Sequence, residues 1–158
     1  MKCNVMLLVA TGFVYLLAGE SAMADNSRIG GIKLLPGYKH EQLQGIDSIV
    51  GKIVNPKGLS IFYEIGPIPQ GPFATGGSFT DRPKKTPKTL LRWYKEQTIQ
   101  GQPVHIAYLK NKTLLVSYPK SIPKNGINFS TKVESADEMA DALIMLLTFP
   151  QPKVKEKK

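Results

Sequence analysis

The fold of this chain is decided by residues 90–118, LLRWYKEQTIQGQPVHIAYLKNKTLLVSY. The stretch contains three runs rich in β-branched, aromatic and aliphatic residues, namely 90–99, 104–109 and 114–118. Gly and Asn tolerate positive φ, so Gln100-Gly101 and Asn111-Lys112 predict tight two-residue turns between these runs. The stretch therefore predicts a three-stranded antiparallel meander. The first run also fits one or two turns of helix, because short runs do not separate the two periods.

Counting residues across the two turns predicts a polar row on the meander. The first turn pairs Glu96 with His105, and the second turn pairs His105 with Tyr118. Directly opposed side chains lie close enough to interact, so these three are expected to form hydrogen bonds. A carboxylate-held imidazole beside a phenol is a candidate proton-transfer trio. The alternative is a structural network around a half-buried histidine, and a one-residue slip in register would remove the row.

The same count assigns the remaining side chains of the meander to two faces, because side chains alternate along a strand. One face is predicted to carry Arg92, Tyr94, Glu96, His105, Leu109, Leu114, Val116 and Tyr118. The other is predicted to carry Leu91, Trp93, Val104, Ile106, Tyr108 and Leu115. The second face is more apolar, so we expect a helix to cover it.

The regions on either side of the meander add further strands. Residues 47–65 predict a hairpin, because Asn55-Pro56-Lys57-Gly58 has the composition of a type I turn. Residues 127–133 alternate between apolar and polar side chains, which is typical of a half-buried strand. Nearer the N-terminus, a short edge strand is expected at Ile32, Leu34 and Leu35.

Residues 135–149 carry the clearest helix pattern. Ser135 and Glu138 form a capping box, and Pro150 would end the helix. The expected buried stripe consists of Met139, Ala140, Leu143, Leu146 and Leu147. The fold class is therefore α+β, with an antiparallel sheet of about five to six strands and one C-terminal helix on one face.

Residues 66–87 form a long connection with five prolines and four glycines. We expect neither a helix nor a central strand there, because Pro removes a backbone donor and restricts φ. Long loops in compact domains are often functional, so one hypothesis is an inhibitor or immunity-type protein that presents this loop. The alternative is a plain Pro-rich crossover.

The first 24 residues are typical of a cleavable secretory signal peptide. Lys2 precedes an apolar run from Val5 to Ala18, and Ala22-Met23-Ala24 is a small-x-small cleavage site. The single cysteine, Cys3, would leave with the peptide. The exported protein is thus expected to be one cysteine-free domain, residues 25–150, with a basic disordered tail over 151–158. Its predicted location is the periplasm or the cell exterior.

Positive charge is concentrated in one part of the chain, which carries +9 overall. Residues 82–133 contain eleven basic side chains and one acidic side chain. Basic residues interleaved with aromatic residues can bind anionic polymers, so we take one stretch as the candidate binding site. Its members are Arg82, Lys84, Lys85, Lys88, Arg92, Trp93, Tyr94 and Lys95. The alternative is a cationic surface that serves only solubility.

Other kinds of site find little support in the sequence. His40 and His105 lie far apart without ligand spacing, so no metal site is predicted. Gly76-Gly77-Ser78 lacks the pattern of a nucleophile elbow, and Gly71 to Gly77 lacks the Lys and helix of a phosphate loop. No cofactor is predicted.

These observations favour a non-catalytic exported module that binds an anionic surface or polymer, such as membrane headgroups or a polysaccharide, or a protein partner. Nucleic acid is an unlikely natural partner for an exported chain. The alternatives are a small exported hydrolase that uses Glu96, His105 and Tyr118, and the inhibitor or immunity-type protein described above.

Export of the full-length chain should yield a protein that begins at Asp25, because signal peptidase cuts after small residues at the −3 and −1 positions. N-terminal sequencing of the exported protein measures this directly. Ala22→Leu/Ala24→Leu should block cleavage, whereas Ala10→Leu, which keeps the apolar run apolar, should leave it intact. An exported protein that retains Met1 would contradict the prediction.

Overall fold

The computed structural model describes residues 32–69, 79–122 and 124–148. They form one antiparallel sheet of seven strands with a helix on one face. The strands are β1 (Lys39–Leu43), β2 (Ile49–Val54), β3 (Ser60–Pro67), β4 (Leu91–Ile99), β5 (Gln102–Leu109), β6 (Thr113–Ile122) and β7 (Asn125–Lys132). Two short helical segments, α1 (Arg82–Lys85) and a 3-10 turn over Lys88–Leu90, precede β4, and α2 (Ala136–Leu147) follows β7.

The strand order is β1-β2-β3-β7-β6-β5-β4, so β1 and β4 are the two edges. Strands that follow one another in sequence are neighbours in the sheet, except for β3 and β4. The chain leaves β3 near the middle of the sheet and must cross β7, β6 and β5 to begin β4 at the far edge. The connection between β3 and β4 therefore lies over one face of the sheet, while α2 covers the other.

The α+β class is confirmed, but the sheet has seven strands and not five to six. The first edge strand is Lys39–Leu43 and not the segment containing Ile32, Leu34 and Leu35. Ile32 is instead 2% exposed and belongs to the hydrophobic core. Ile32 is apolar because it is buried, although it pairs with no strand in the sheet. A short apolar run does not show whether its residues are buried in a strand or in an irregular segment.

The predicted hairpin at residues 47–65 is confirmed as β2 and β3. The Asn55 carbonyl accepts a hydrogen bond from the Gly58 N–H at 2.9 Å, and the Asn55 side chain accepts one from the Lys57 N–H at 2.8 Å. Gly58 has a φ of 107°, which only glycine adopts without strain. The turn residues therefore set the register that pairs Ile53 with Ile61.

The first turn of the meander is confirmed. Gln100 and Gly101 have φ values of 51° and 80°, the positive pair that a type I′ turn requires. Residues 91–99 form a strand and not a helix, and Glu96 lies opposite His105 as the count predicts. A bulge between Leu91 and Trp93 shifts the register at the start of β4.

The second turn of the meander is longer than predicted by one residue. Lys110, Asn111 and Lys112 separate β5 from β6, and Lys112 has a φ of 67°. His105 consequently lies opposite Ser117 and not opposite Tyr118. One residue of slip moves every side chain of a strand to the other face. Leu114, Val116 and Tyr118 thus join the core, and Leu115 lies on the opposite face.

The C-terminal helix begins where the sequence predicts, with the expected residue at its N-cap. Ser135 is the N-cap, and its hydroxyl accepts a hydrogen bond from the Glu138 N–H at 3.1 Å. The Glu138 carboxylate accepts from the Glu134 N–H at 2.6 Å, one residue before the N–H that the usual capping box employs. The cap fixes the point at which the chain turns back over the sheet.

The buried stripe of α2 is displaced from the predicted one. Ala142 and Met145 are fully buried and Leu146 is 1% exposed, whereas Ala140 is exposed. Met139, Leu143 and Leu147 pack at the border of the core. The helix therefore presents the 142/145/146 side to the sheet, where Val104 and Ile106 lie beneath it as predicted. Several stripes of a Leu-, Ile- and Met-rich helix are similarly apolar, so periodicity alone does not choose among them.

Residues 66–87 do contain regular structure, contrary to prediction. β3 continues to Pro67, and α1 begins at Arg82. Pro83 is compatible with α1 because it lies in the first turn, where a backbone N–H has no intrahelical acceptor. Residues 70–78, the predicted signal peptide at 1–24 and the predicted disordered tail at 151–158 lie outside the described residues. Among the described residues, no helix is long and apolar enough to cross a membrane.

Replacing Met145 should destabilise the protein strongly, because the side chain is fully buried between α2 and the sheet. We expect Met145→Ala to lower the free energy of unfolding by about 2–4 kcal/mol. Ile144→Ala is the matched control, since Ile144 is 53% exposed and should change stability by less than about 0.5 kcal/mol. Urea unfolding followed by circular dichroism measures both values. Equal losses for the two variants would contradict this packing.

Candidate functional site

The connection between β3 and β4 crosses the sheet face that α2 leaves open, and we call residues 79–90 the strap. It contacts successive strands in order. The Phe79 ring lies against Gly126 of β7, where a Cβ atom would come within 2.5 Å of the ring. The Thr80 carbonyl accepts a hydrogen bond from the Asn128 side chain of β7 at 2.9 Å. Both of these residues contact β7, and the next residue of the strap, Asp81, contacts β6 and β5.

Asp81 is the central contact of the strap. Its Oδ1 accepts hydrogen bonds from Ser117 Oγ of β6 at 2.7 Å and from the Lys84 N–H at 3.4 Å. Its Oδ2 contacts Nδ1 of His105 on β5. One carboxylate therefore caps α1 and binds two strands of the sheet at the same time.

His105 is enclosed between two carboxylates. Its ring nitrogens contact Asp81 at Nδ1 and Glu96 at Nε2, and the latter distance is 3.2 Å. The His105 side chain is 5% exposed and that of Asp81 is 15% exposed, whereas the Glu96 side chain is 54% exposed. The imidazole thus connects a partly buried carboxylate to one that reaches solvent at the edge strand.

This arrangement does not form a metal site. Within the part of the chain that the structure describes, no group of three or more His, Cys, Asp and Glu side chains could hold a metal ion. Each nitrogen of the His105 ring faces one carboxylate, so Asp81 and Glu96 lie on opposite sides of the ring and do not converge on one point. The geometry suits a hydrogen-bonded chain of Asp81, His105 and Glu96, which we call the relay, and not the coordination sphere of a metal.

A row of polar residues does cross the sheet, but it differs from the predicted one. Glu96, His105, Ser117, Asn128 and Glu64 lie opposite one another on consecutive strands from β4 to β3. His105, Ser117 and Asn128 are buried, and the strap satisfies each of them. The row is therefore the surface on which the strap is seated.

Tyr118 is absent from this row, which corrects the predicted trio. It lies on the helix face, 2% exposed, and its hydroxyl donates a hydrogen bond to the Leu146 carbonyl of α2. Burial raises the pKa of this phenol far above its usual value. Of the predicted trio, only the Glu96–His105 contact is formed.

A groove of about 480 Å³ lies where the strap meets the edge strand. Strap and β4 residues line it together: Pro83, Lys84, Thr86, Lys88, Leu91, Arg92, Trp93, Tyr94 and Glu96. Three of these side chains are cationic, two are aromatic and one is a carboxylate. The seating of the strap on the polar row therefore determines the shape of this groove.

The structure brings together five of the eight residues predicted to bind an anion: Lys84, Lys88, Arg92, Trp93 and Tyr94. The other three lie elsewhere. Arg82 forms an ion pair with Glu64 of β3, and Lys85 is exposed outside the groove lining. Lys95 lies on the helix side of β4, where it lines a second depression with Trp93, Leu143 and Leu147. Alternation along β4 separates Lys95 from Tyr94 and Glu96.

Aromatic packing holds the groove side chains at the β4 edge. The Trp93 ring packs on Tyr108 with centroids 5.8 Å apart, and the Arg92 guanidinium lies 5.7 Å from the Tyr108 centroid. Tyr94 donates a hydrogen bond to Glu96 at 3.3 Å. Burial, followed by the nearby charge of Glu96, raises the pKa of Tyr94 to about 12. Tyr94 is therefore a neutral hydrogen-bonding group near neutral pH.

Asp81, Ser117 and Asn128 are the residues of this region that were not predicted. The sequence does contain a signal for Asp81, because an Asp followed two residues later by a Pro is typical of a helix start. Ser117 was assigned to the wrong face by the register slip at Lys112. Lys rarely adopts positive φ, so its side chain gives no signal for the longer loop.

No protein family, curated protein or solved structure matches this chain. Its activity therefore has to follow from the chemistry of the groove and of the polar row beneath the strap.

Removing the Asp81 carboxylate should destabilise the protein, because His105, Ser117 and the α1 cap lose a shared partner. We expect Asp81→Ala to lower the free energy of unfolding by about 2–4 kcal/mol. The control is Asp47→Ala, since Asp47 is exposed between β1 and β2 and its loss should matter by less than about 0.5 kcal/mol. Urea unfolding of both variants tests this, and a stability loss no larger than that of the control would contradict the role of Asp81.

Proposed function

We propose that this protein is a non-catalytic exported module that binds an acidic polysaccharide in the groove between the strap and β4. The observation that carries the proposal is the convergence of three cations and two aromatic rings on one concave surface. The residues come from three segments of backbone, α1, the 3-10 turn and β4, and only the fold brings them together.

The cations supply the attraction for an anion. Lys84, Lys88 and Arg92 line the groove, and Glu96 is its one acidic member. Glu96 already contacts Lys84 at 3.8 Å and His105 at 3.2 Å, so part of its charge is compensated. The Arg92 guanidinium offers planar donors that match a carboxylate or a sulfate. The groove consequently keeps an excess of positive charge.

The aromatic rings and the remaining polar groups favour a sugar as the anion carrier. Tyr94 lines the groove with apolar ring surface, and Trp93, which packs on Tyr108 and also borders the depression around Lys95, adds apolar surface to the groove wall. Such surface can stack on a pyranose ring. Thr86 and the exposed carboxylate of Glu96 can accept or exchange hydrogen bonds with hydroxyl groups. A membrane surface matches less well, because these rings line a concavity and do not project from the surface.

The enclosure of His105 supports a binding role over catalysis. The ring is 4% exposed, and both of its nitrogens contact carboxylates. A general base must come within hydrogen-bond reach of the proton that it removes from substrate. His105 has no free nitrogen to offer, so the relay is better suited to holding the strap and the edge strand together.

A loop-presenting inhibitor is also less favoured by the described part of the 66–87 connection. Residues 79–87 lie on the sheet, where Phe79 packs on Gly126 and Asp81 contacts His105 and Ser117. An inhibitory loop requires a segment that projects toward its target. Residues 70–78, which the inhibitor hypothesis also needs, lie outside the described residues.

Reversing two groove charges should abolish most of the binding to a sulfated polysaccharide. We expect Lys88→Glu/Arg92→Glu to bind dextran sulfate at least about tenfold more weakly than the native protein, because four units of charge change within contact distance of the anion. Isothermal titration calorimetry across a salt series measures the affinity. The native affinity should fall with added salt, since screening weakens exposed charge pairs.

The matched control is Lys39→Glu/Lys57→Glu, which makes the same change in net charge at β1 and the β2–β3 turn, toward the opposite edge of the sheet. It should retain near-native affinity. Neutral dextran and vesicles of phosphatidylcholine, with or without phosphatidylglycerol, complete the panel. Binding only to the anionic vesicles would replace the polysaccharide with a membrane surface. Failure to bind any anionic probe at low salt would overturn the proposed function.

A further inference from the structure

We propose that the protonation of His105 controls the charge of the groove through Glu96, so that the groove binds anions more tightly when the imidazole is protonated. The inference rests on the proposed function for its effect on affinity. It concerns a group, His105, that lies outside the groove lining and acts on the groove through one side chain.

The geometry of the relay calls for two protons on the ring. Nδ1 faces Asp81 and Nε2 faces Glu96, and both partners are carboxylates that can only accept when ionised. A neutral imidazole carries one N–H and can donate to only one of them. The arrangement in the structure is therefore that of an imidazolium between two carboxylates.

The Glu96 contact is the one that deprotonation should break. Hydrogen bonds from Ser117 and from the Lys84 N–H hold Asp81 in place, and its side chain is 15% exposed. The one proton of a neutral His105 ring therefore stays on Nδ1, which donates it to Asp81. Nε2 would then turn a lone pair toward the Glu96 carboxylate 3.2 Å away. Glu96 is 54% exposed on an edge strand, so it is free to rotate away from the ring.

The groups that face His105 determine which side chain the Glu96 carboxylate contacts after it leaves the imidazole. The strap contributes Asp81 and, through its contact with Glu96, Lys84. From β4 come Glu96 itself and Tyr94, whose ring centroid is 6.3 Å from that of His105. From β6 comes the hydroxyl of Ser117, which bonds Asp81. Because Tyr94 stays neutral at these pH values, the released Glu96 has Lys84 as its nearest counter-charge.

Release of Glu96 weakens anion binding in two ways. The Glu96 carboxylate, which the imidazolium no longer neutralises, repels the anionic ligand. Pairing of Glu96 with Lys84 also takes one cation from the ligand. A change of one charge a few ångströms from the anion corresponds to about fivefold in affinity near a solvated surface. The expected dependence on pH thus runs toward tighter binding in acid.

The test measures dextran sulfate affinity of the exported protein by calorimetry at about pH 5.5 and about pH 8.5, which span the range in which histidine usually titrates. Sulfate esters stay ionised throughout, so the ligand charge is constant. We expect the native affinity to be about fivefold weaker at the higher pH at constant ionic strength. Equal affinities at the two pH values would overturn the inference.

Two variants assign the effect to the relay. Glu96→Gln has no carboxylate to release and loses only the charge of the imidazolium, so its affinity should fall clearly less than the native affinity between about pH 5.5 and about pH 8.5. His40→Gln removes the other histidine of the chain, which contacts Tyr63 near the β1 edge, and should keep the native pH dependence. A pH dependence in Glu96→Gln as large as the native one, or its disappearance in His40→Gln, would contradict the proposal.

Nuclear magnetic resonance separates this inference from the proposed function. Without ligand, the side-chain carboxyl resonance of Glu96 should shift in step with the imidazole resonances of His105. With ligand, linkage should move that shared midpoint to higher pH. Absence of binding at every pH would overturn the proposed function, and the ligand-free titration would still decide the coupling. A Glu96 resonance that ignores the titration of His105 would overturn the coupling itself.

Discussion

The contacts of the Asp81 carboxylate are the interaction on which the rest of the site depends. Asp81 caps α1 with one oxygen, which also accepts the Ser117 hydroxyl, and contacts His105 with the other. A partly buried carboxylate needs such partners, because removing it from water without them is unfavourable. The same three bonds that satisfy Asp81 also hold the strap at a fixed height above β5 and β6. Without them the groove would lose one of its two sides, since Lys84 and Lys88 reach it only through the strap.

The topology of the sheet explains why such a strap exists. β7 pairs with β3 in the middle of the sheet, so β7, β6 and β5 lie between β3 and β4, which is at the edge. The connection has to cross the intervening strands, and it does so over polar side chains that would otherwise be buried without partners. The helix face is apolar and closed by α2, whereas the strap face is polar and closed by backbone and side-chain hydrogen bonds. The groove lies at the place where that second cover ends.

Local patterns predicted the elements well wherever a residue had a strict conformational requirement. Gly101 and Gly58 marked two turns correctly because positive φ is unusual for other residues, and Ser135 marked the start of α2 because its hydroxyl satisfies a free N–H. The pattern did not predict the length of the turn at Lys112, because no feature of the sequence indicates that this residue adopts positive φ. That single residue set the face of the whole of β6. It therefore decided that Ser117, and not Tyr118, would meet His105.

The sequence by itself determined the α+β class, the contact between Glu96 and His105, and the concentration of cations and aromatics in residues 82–95. Each of these follows from short-range constraints, namely turn chemistry, side-chain alternation and composition. Only the tertiary structure decided which cations share a surface, because Arg82 and Lys95 are neighbours of the groove residues in sequence and yet lie outside its lining. It also decided that His105 is enclosed by Asp81, a residue 24 positions away. Contacts between distant segments depend on strand order and on the path of a long crossover, and neither is encoded in any local pattern.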